Sequence, residues 1–546
     1  MNKTIQNASI LVVGLLTSAS AQAFFLDGNG HYGLLGETRV APEFQKDNGT
    51  YQATRVSFDL NGEVRANDRA SFNLRLGLTD NPSGLYLGDT AEPKTCQPRT
   101  KDGSTDTTCN GRSQSPNDPG YKNFTPVIRE AYGKYAFNYC ILTAGRRSRD
   151  VGLGAFISSG KRPFDTDASV FDGVTCDVNM QKHQDLGFTF GMDKLQESGS
   201  WIDNPYDSPR HGKTDETDFD ARRDAFGANA SADDMDQLFF GINYDDLKTK
   251  GPASFAKQVR IYFANILSND AKTDVKFFDL YTGFYYGKFA LKNELIFRLG
   301  KSADPALVAM GGQRTNTDGG VATNNVNSIG LAGVLEYTVT KSGASLGPEE
   351  FNEGNLRRHV VFSDYVYAPG DADGYYEDRA SDTQDQADLF GESRRNNRAK
   401  AMALNRNFHP AMLFFNGRQT SKKYATGGVF NPERIMNAAL YTLGYRYENM
   451  ESGNFEMKFI SGRLLETAPS DVVSYYNNSG RTDRPMGFYG GDLGYELDMM
   501  YSYHYQREVD LGLGAAAALP GKAWKASSVS SPQMGLGLLG SFAIKF

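Results

Sequence analysis

The chain has 546 residues, a formal net charge of -7, 58 glycines and 12% aromatic residues. That acidic balance excludes a nucleic-acid partner, whose phosphates demand a basic surface, and no eighteen-residue apolar run is available to form a transmembrane helix. No linker or composition break divides the sequence, so one large domain is expected.

The N-terminus carries Lys3, an apolar run over 10–16 and the small-residue triplet Ala21-Gln22-Ala23. This pattern predicts a secretory signal over 1–23 with the mature chain starting at Phe24. From there the sequence alternates with period two. Strands are predicted near 30–40, 50–65, 69–79, 127–137, 140–147, 172–180, 184–193, 236–245, 256–267, 273–286, 288–300, 326–340, 356–368, 434–449, 453–466, 489–506, 509–518 and 533–546. The last is the clearest: Met534, Leu536, Leu538, Phe542, Ile544 and Phe546 share one parity, while Gln533, Gly535, Gly537, Ser541 and Lys545 share the other. One face meets lipid and the other water. The expected fold is all-β, a transmembrane antiparallel up-and-down β-barrel of about 18 strands over 24–546. Sixteen to eighteen strands leave an aqueous channel.

The connections support that count. Short turns at Asn67, Asn138, Lys182 and Ser452 alternate with long polar loops over 80–126, 194–235, 301–325 and 369–433, although 268–272 and 341–355 depart from the rule. The lumen-facing parity is polar, with Arg55, Asp59, Glu63, Arg65, Arg75, Lys292, Glu294, Arg298, Arg446 and Glu448 set opposite apolar neighbours. Cys96 and Cys109 share one polar loop and are expected to form a local disulfide. Cys140 and Cys176 fall in neighbouring strands, and the register that would let them meet is left open.

Several stretches carry a family likeness. They are Arg129-Glu130-Ala131-Tyr132, Thr143-Ala144-Gly145-Arg146, Ser169-Val170-Phe171-Asp172-Gly173-Val174, the segment 365–373, Asn407-Phe408-His409-Pro410 and the segment 490–498. In this order they resemble the alginate-export family of outer-membrane proteins. The resemblance implies an eighteen-stranded barrel whose electropositive constriction passes an anionic polysaccharide. It also implies that inward arginines with counter-acids form that constriction, with Arg129, Arg146 and Asp172 at the matching positions. Arg147, Arg149, Lys161 and Arg162 follow, and a loop folded into the lumen would add them to the same ring, with Arg75, Arg298 and Arg446 as further lumen candidates.

The function expected is an outer-membrane channel of a Gram-negative bacterium for small or polymeric solutes. Its partners are the lipid bilayer, lipopolysaccharide, the barrel-assembly machinery and an anionic solute or oligosaccharide. A basic ring attracts carboxylates and repels cations. A general diffusion porin is the alternative. Catalysis is not expected, because histidine is scarce and no serine–histidine pairing stands out. No cofactor is expected either; Asp371, Asp373 and Asp378 have the chemistry of hard calcium ligands in an outer loop, beside the commoner reading of solvated turn acids.

Overall fold

The computed structural model describes residues 25–40, 50–78, 85–87, 99–101, 104–106, 126–160, 169–179, 185–195, 236–246, 255–268, 272–302, 324–342, 357–371, 398–405, 408, 410–415, 435–449, 453–478, 487–505, 508–525 and 531–545. Eighteen strands build one wall: β1 (Phe25–Val40), β2 (Thr50–Asn67), β3 (Ala70–Leu78), β4 (Pro126–Ala136), β5 (Ile141–Ser148), β6 (Val170–Asn179), β7 (Leu186–Leu195), β8 (Asp236–Asp246) and β9 (Phe255–Ser268). The second half contributes β10 (Thr273–Tyr286), β11 (Phe289–Ser302), β12 (Asn324–Ser342), β13 (Arg357–Ala368), β14 (Ala438–Asn449), β15 (Gly453–Leu464), β16 (Asp492–Tyr505), β17 (Val509–Pro520) and β18 (Gly535–Lys545).

Every wall strand pairs antiparallel with its chain neighbours, and β1 closes the ring on β18 from His31 opposite Lys545 to Val40 opposite Leu536. Closure removes the free edges that a sheet in hydrocarbon could not satisfy. Each predicted strand has its counterpart, and the ends differ by a few residues, most at β1, which begins at Phe25. Two short pieces join the wall, 85–87 against β2 and 398–399 parallel to β12.

Period two governs burial. Along β10, Thr273, Val275, Phe277, Asp279 and Tyr281 are buried inside, while Asp274 and Lys276 are exposed outside. Leu60, Phe72, Phe190, Leu238, Leu299, Leu443, Leu497, Leu513 and Leu538 all stand exposed on the outward parity. An apolar belt of this extent is the signature of a wall facing lipid. Tyr135, Phe137, Tyr139, Tyr286, Phe289, Tyr337 and Tyr505 gather near the rim of short turns, as an interfacial aromatic girdle does.

The inward face departs from the expected uniform polarity. Towards the opposite rim, where the long loops leave, Val275, Phe277, Ile296, Val326, Ala332, Leu493 and Ala516 point inward and are buried. They pack with Phe156, Ile157, Met402, Leu404, Leu413, Phe414 and Trp524 in one apolar cluster. Loops therefore fold into the barrel and cover that part of the wall.

Cys140 and Cys176 form a disulfide with Cα atoms 5.6 Å apart, tying the turn before β5 to β6. The expected Cys96–Cys109 bridge lies outside the described residues. Cys140→Ser is expected to lower stability by about 2–4 kcal/mol, the usual worth of such a link. A urea-unfolding midpoint, compared with that of the wild type under oxidising and reducing conditions, checks it.

Candidate functional site

Two segments cross the lumen, and buried carboxylates hold both by their backbones. The first, 151–160, follows β5. At one end Arg75 of β3 donates to the carbonyls of Ser159 (3.3 Å) and Gly160 (2.7 Å). At the other, Glu294 of β11 accepts from the amides of Leu153 and Ala155. β3 and β11 stand eight places apart in the ring of 18, so the segment spans close to a full diameter. Gly152, at φ 60°, makes this approach feasible, because a Cβ there would run into the Glu294 carboxylate.

The second segment, described over 399–405, 408 and 410–415, continues the barrier. Its Asn405 amide donates to the Ala155 carbonyl (2.7 Å), joining the two segments. Arg298 of β11 donates to the Ala401 carbonyl (2.5 Å). On the far side Glu496 of β16 accepts from the amides of Leu413 (2.6 Å) and Phe414 (2.8 Å), and Asp498 accepts from Met412 (3.0 Å). Phe414 stacks on Trp524, whose indole N–H donates to the Leu493 carbonyl. Backbone in a lumen has no ladder partners, and these carboxylates supply the acceptors it would otherwise lack.

Basic side chains surround this barrier. Arg75 forks onto Asp59 (Nε 2.8 Å, Nη2 2.7 Å) with Glu130 at 3.5 Å. Arg129 reaches the same Asp59 at 3.6 Å. It does so because β4 bulges there: Arg75 opposes Glu130 and Leu76 opposes Ile128, leaving Arg129 as the extra residue, so two consecutive side chains turn inward. Gly77 leaves the space that the Arg129 guanidinium fills. Arg149 pairs with Asp193 (2.6 Å) and lies over the rings of Phe239 (3.8 Å) and Phe171 (4.7 Å). Arg147 also faces inward, near Arg149, Asp193 and Asp177, and its buried Nε and Nη2 have no hydrogen-bond acceptor among the described residues.

Nearer the turn rim the opposite wall carries a charge network. Arg446 contacts Glu336 (2.7 Å), Glu448 (2.5 Å) and Glu456 (3.7 Å), while Lys292, Arg358 and Lys458 each take one of these acids. At that rim Asp510 joins His504 (2.6 Å) and Lys545 (2.5 Å).

The fold is that of an outer-membrane β-barrel. No family model matches the chain, and no curated protein is similar to it. Among solved structures, it is similar to the outer membrane protein OpdK from Pseudomonas aeruginosa, at 10% identity and a TM-score of 0.41, over 95% of this chain and 99% of that one. OccK5 (OpdH) of Pseudomonas aeruginosa aligns at 13% identity and a TM-score of 0.42, over 95% and 98%. OccAB1 of Acinetobacter baumannii aligns at 12% identity and a TM-score of 0.46, over 95% and 96%. The alginate-export resemblance has no counterpart among these matches.

Of the predicted constriction residues, Arg75, Arg129, Arg147, Arg149, Arg298 and Arg446 face the lumen. Arg146 and Asp172 do not. They pair with each other (3.1 and 3.3 Å), but share the outward parity of Ala131, Val174 and Met192, so the pair belongs to the outer face of the wall. Lys161 and Arg162 lie outside the described residues, as do Asp373 and Asp378 of the calcium candidates. Asp371 is buried and accepts from the Lys400 amide (3.0 Å), so it fastens the second segment. The gripping role of Glu294, Glu496 and Asp498 was missed. Glu294 reads as a lumen charge in the sequence, Glu496 and Asp498 lie opposite the apolar parity of their strand in the same way, and only the apolar residues sharing the inward face mark all three as buried.

Proposed function

We propose that the protein is a channel of the Gram-negative outer membrane for small solutes, with a preference for anions set at the barrier of in-folded segments. The observation carrying this reading is Arg147, an inward guanidinium with buried donors that meet no acceptor among the described residues, beside Arg149. Positive charge in a narrow, low-dielectric passage raises the local concentration of anions. The two lumen-crossing segments favour small solutes over a polymer such as alginate. The outer belt suits a bilayer with lipopolysaccharide, and the alternating last strand suits insertion by barrel-assembly machinery.

A second reading, a general diffusion porin, is favoured by the Arg446 network, in which each cation is matched by acids. Reversal potentials under a salt gradient separate the two. Arg147→Glu is expected to move the reversal potential towards cation preference, more at low salt than at high, because mobile ions in the passage screen the part of the charge that they can reach. An unchanged potential would favour the general porin.

A further inference from the structure

Two arginines are almost wholly buried inside the barrel, Arg75 at 3% exposure and Arg298 at 4%, and their surroundings differ in kind. Arg75 sits among two carboxylates and two carbonyls. Arg298 donates from Nε to Ser328 Oγ (2.9 Å) and from Nη2 to the Ala401 carbonyl (2.5 Å), and no carboxylate pairs with it among the described residues. Four other buried inward cations have acids: Arg129 has Asp59, Arg149 has Asp193, Arg446 has Glu336 and Lys458 has Glu456, while Arg147 makes no ion pair among the described residues but has Asp193 and Asp177 nearby.

A guanidinium carries five N–H donors and stays protonated in proteins. Arg298 therefore keeps its full charge with donors to spare. Its adjacent neighbours on the inward face are uncharged: Phe277 and Ser328 lie directly across on β10 and β12, and Ile296 precedes it on the same face of β11, while the buried Asp279 opposite Ile296 makes no ion pair with it among the described residues. Phe277 and Ile296 are themselves buried. An ion withdrawn from water and left unpaired is strongly disfavoured, and a counter-ion removes that penalty.

We infer that Arg298 holds a small monovalent anion, a halide or a carboxylate, on the long-loop side of the barrier. The planar fork suits a carboxylate in two-point contact and a halide in one cleft. Because the same guanidinium holds Ala401, the anion sits beside the second in-folded segment and stabilises its seat. The inference rests on the channel reading only in that the lumen must admit anions.

Crystals of the full-length protein soaked in sodium bromide test it by anomalous scattering. A bromide peak within hydrogen-bonding distance of the Arg298 guanidinium is expected, weakened when excess sodium formate is added and lost in Arg298→Met. The formate competition needs no variant, so it decides even if Arg298→Met does not assemble. No peak in the wild type, or a peak that persists unchanged in the variant, overturns the inference, and a peak indifferent to formate marks an adventitious ion only. Failure is separable from failure of the channel reading: anion-side reversal potentials without bromide at Arg298 remove this site alone, and bromide there in a channel without anion preference removes only the channel reading.

Discussion

Glu294→Ala combined with Glu496→Ala is expected to raise single-channel conductance several-fold while the barrel still assembles. Glu294 accepts the amides of Leu153 and Ala155, and Glu496 those of Leu413 and Phe414. Each buried amide left without an acceptor costs about 1–3 kcal/mol. Four such losses weaken the grip on both segments, which are then held mainly by the apolar packing of Phe156, Ile157, Met402, Leu404 and Phe414, so the lumen should open more widely and more often. The Asn405–Ala155 hydrogen bond couples them, and Glu294→Ala alone is expected to loosen both. The wall is untouched, since each glutamate sits mid-strand in an intact ladder. Planar-bilayer recordings check the conductance, and heat-modifiable migration on gels checks assembly.

Arg75→Met should be the most damaging single substitution to stability, costing about 3–5 kcal/mol, the range for breaking a buried ion pair from one side. Everything around that guanidinium accepts: Asp59, Glu130, and the carbonyls of Ser159 and Gly160. Methionine fills similar space and leaves Asp59 and Glu130 close together, with Arg129 at 3.6 Å as the remaining cation beside Asp59. Arg75→Lys keeps the charge without the fork and should fall between. The thermal midpoint of the detergent-solubilised barrel is the readout, with wild type, lysine and methionine forms descending in that order.

Period two made the strands legible, because a residue that slips by one position moves from lipid to lumen. It also made the Arg146 error avoidable. Leu142 and Ala144 share its parity, which points it outward with Asp172. Arg129 is the reverse case. Its parity opposes that of Glu130, and only the bulge opposite Arg75 and Leu76 turns both inward; a bulge changes pairing without changing composition.

The filled half of the lumen left a trace. Leu295-Ile296-Phe297 in β11 and Phe277-Phe278 in β10 are apolar on both parities, the pattern of strands covered on both faces. What covers them has no sequence signal, since Ala155, Phe156 and Ile157 of the first segment and Met402, Leu404, Leu413 and Phe414 of the second are buried without a regular period. The carboxylate grips depend on backbone amides, which carry no sequence signature at all.

Solutes that pass through a lumen narrowed by these two segments should be sorted by size and charge. Osmotic swelling of proteoliposomes with a size series of neutral and carboxylated sugars measures this sorting. The expected result is a sharp size limit in the wild type, faster entry of the carboxylated sugar than of its neutral counterpart of equal size, and a higher limit in the Glu294→Ala, Glu496→Ala form. Equal rates across the series, with no change on releasing the segments, would contradict it.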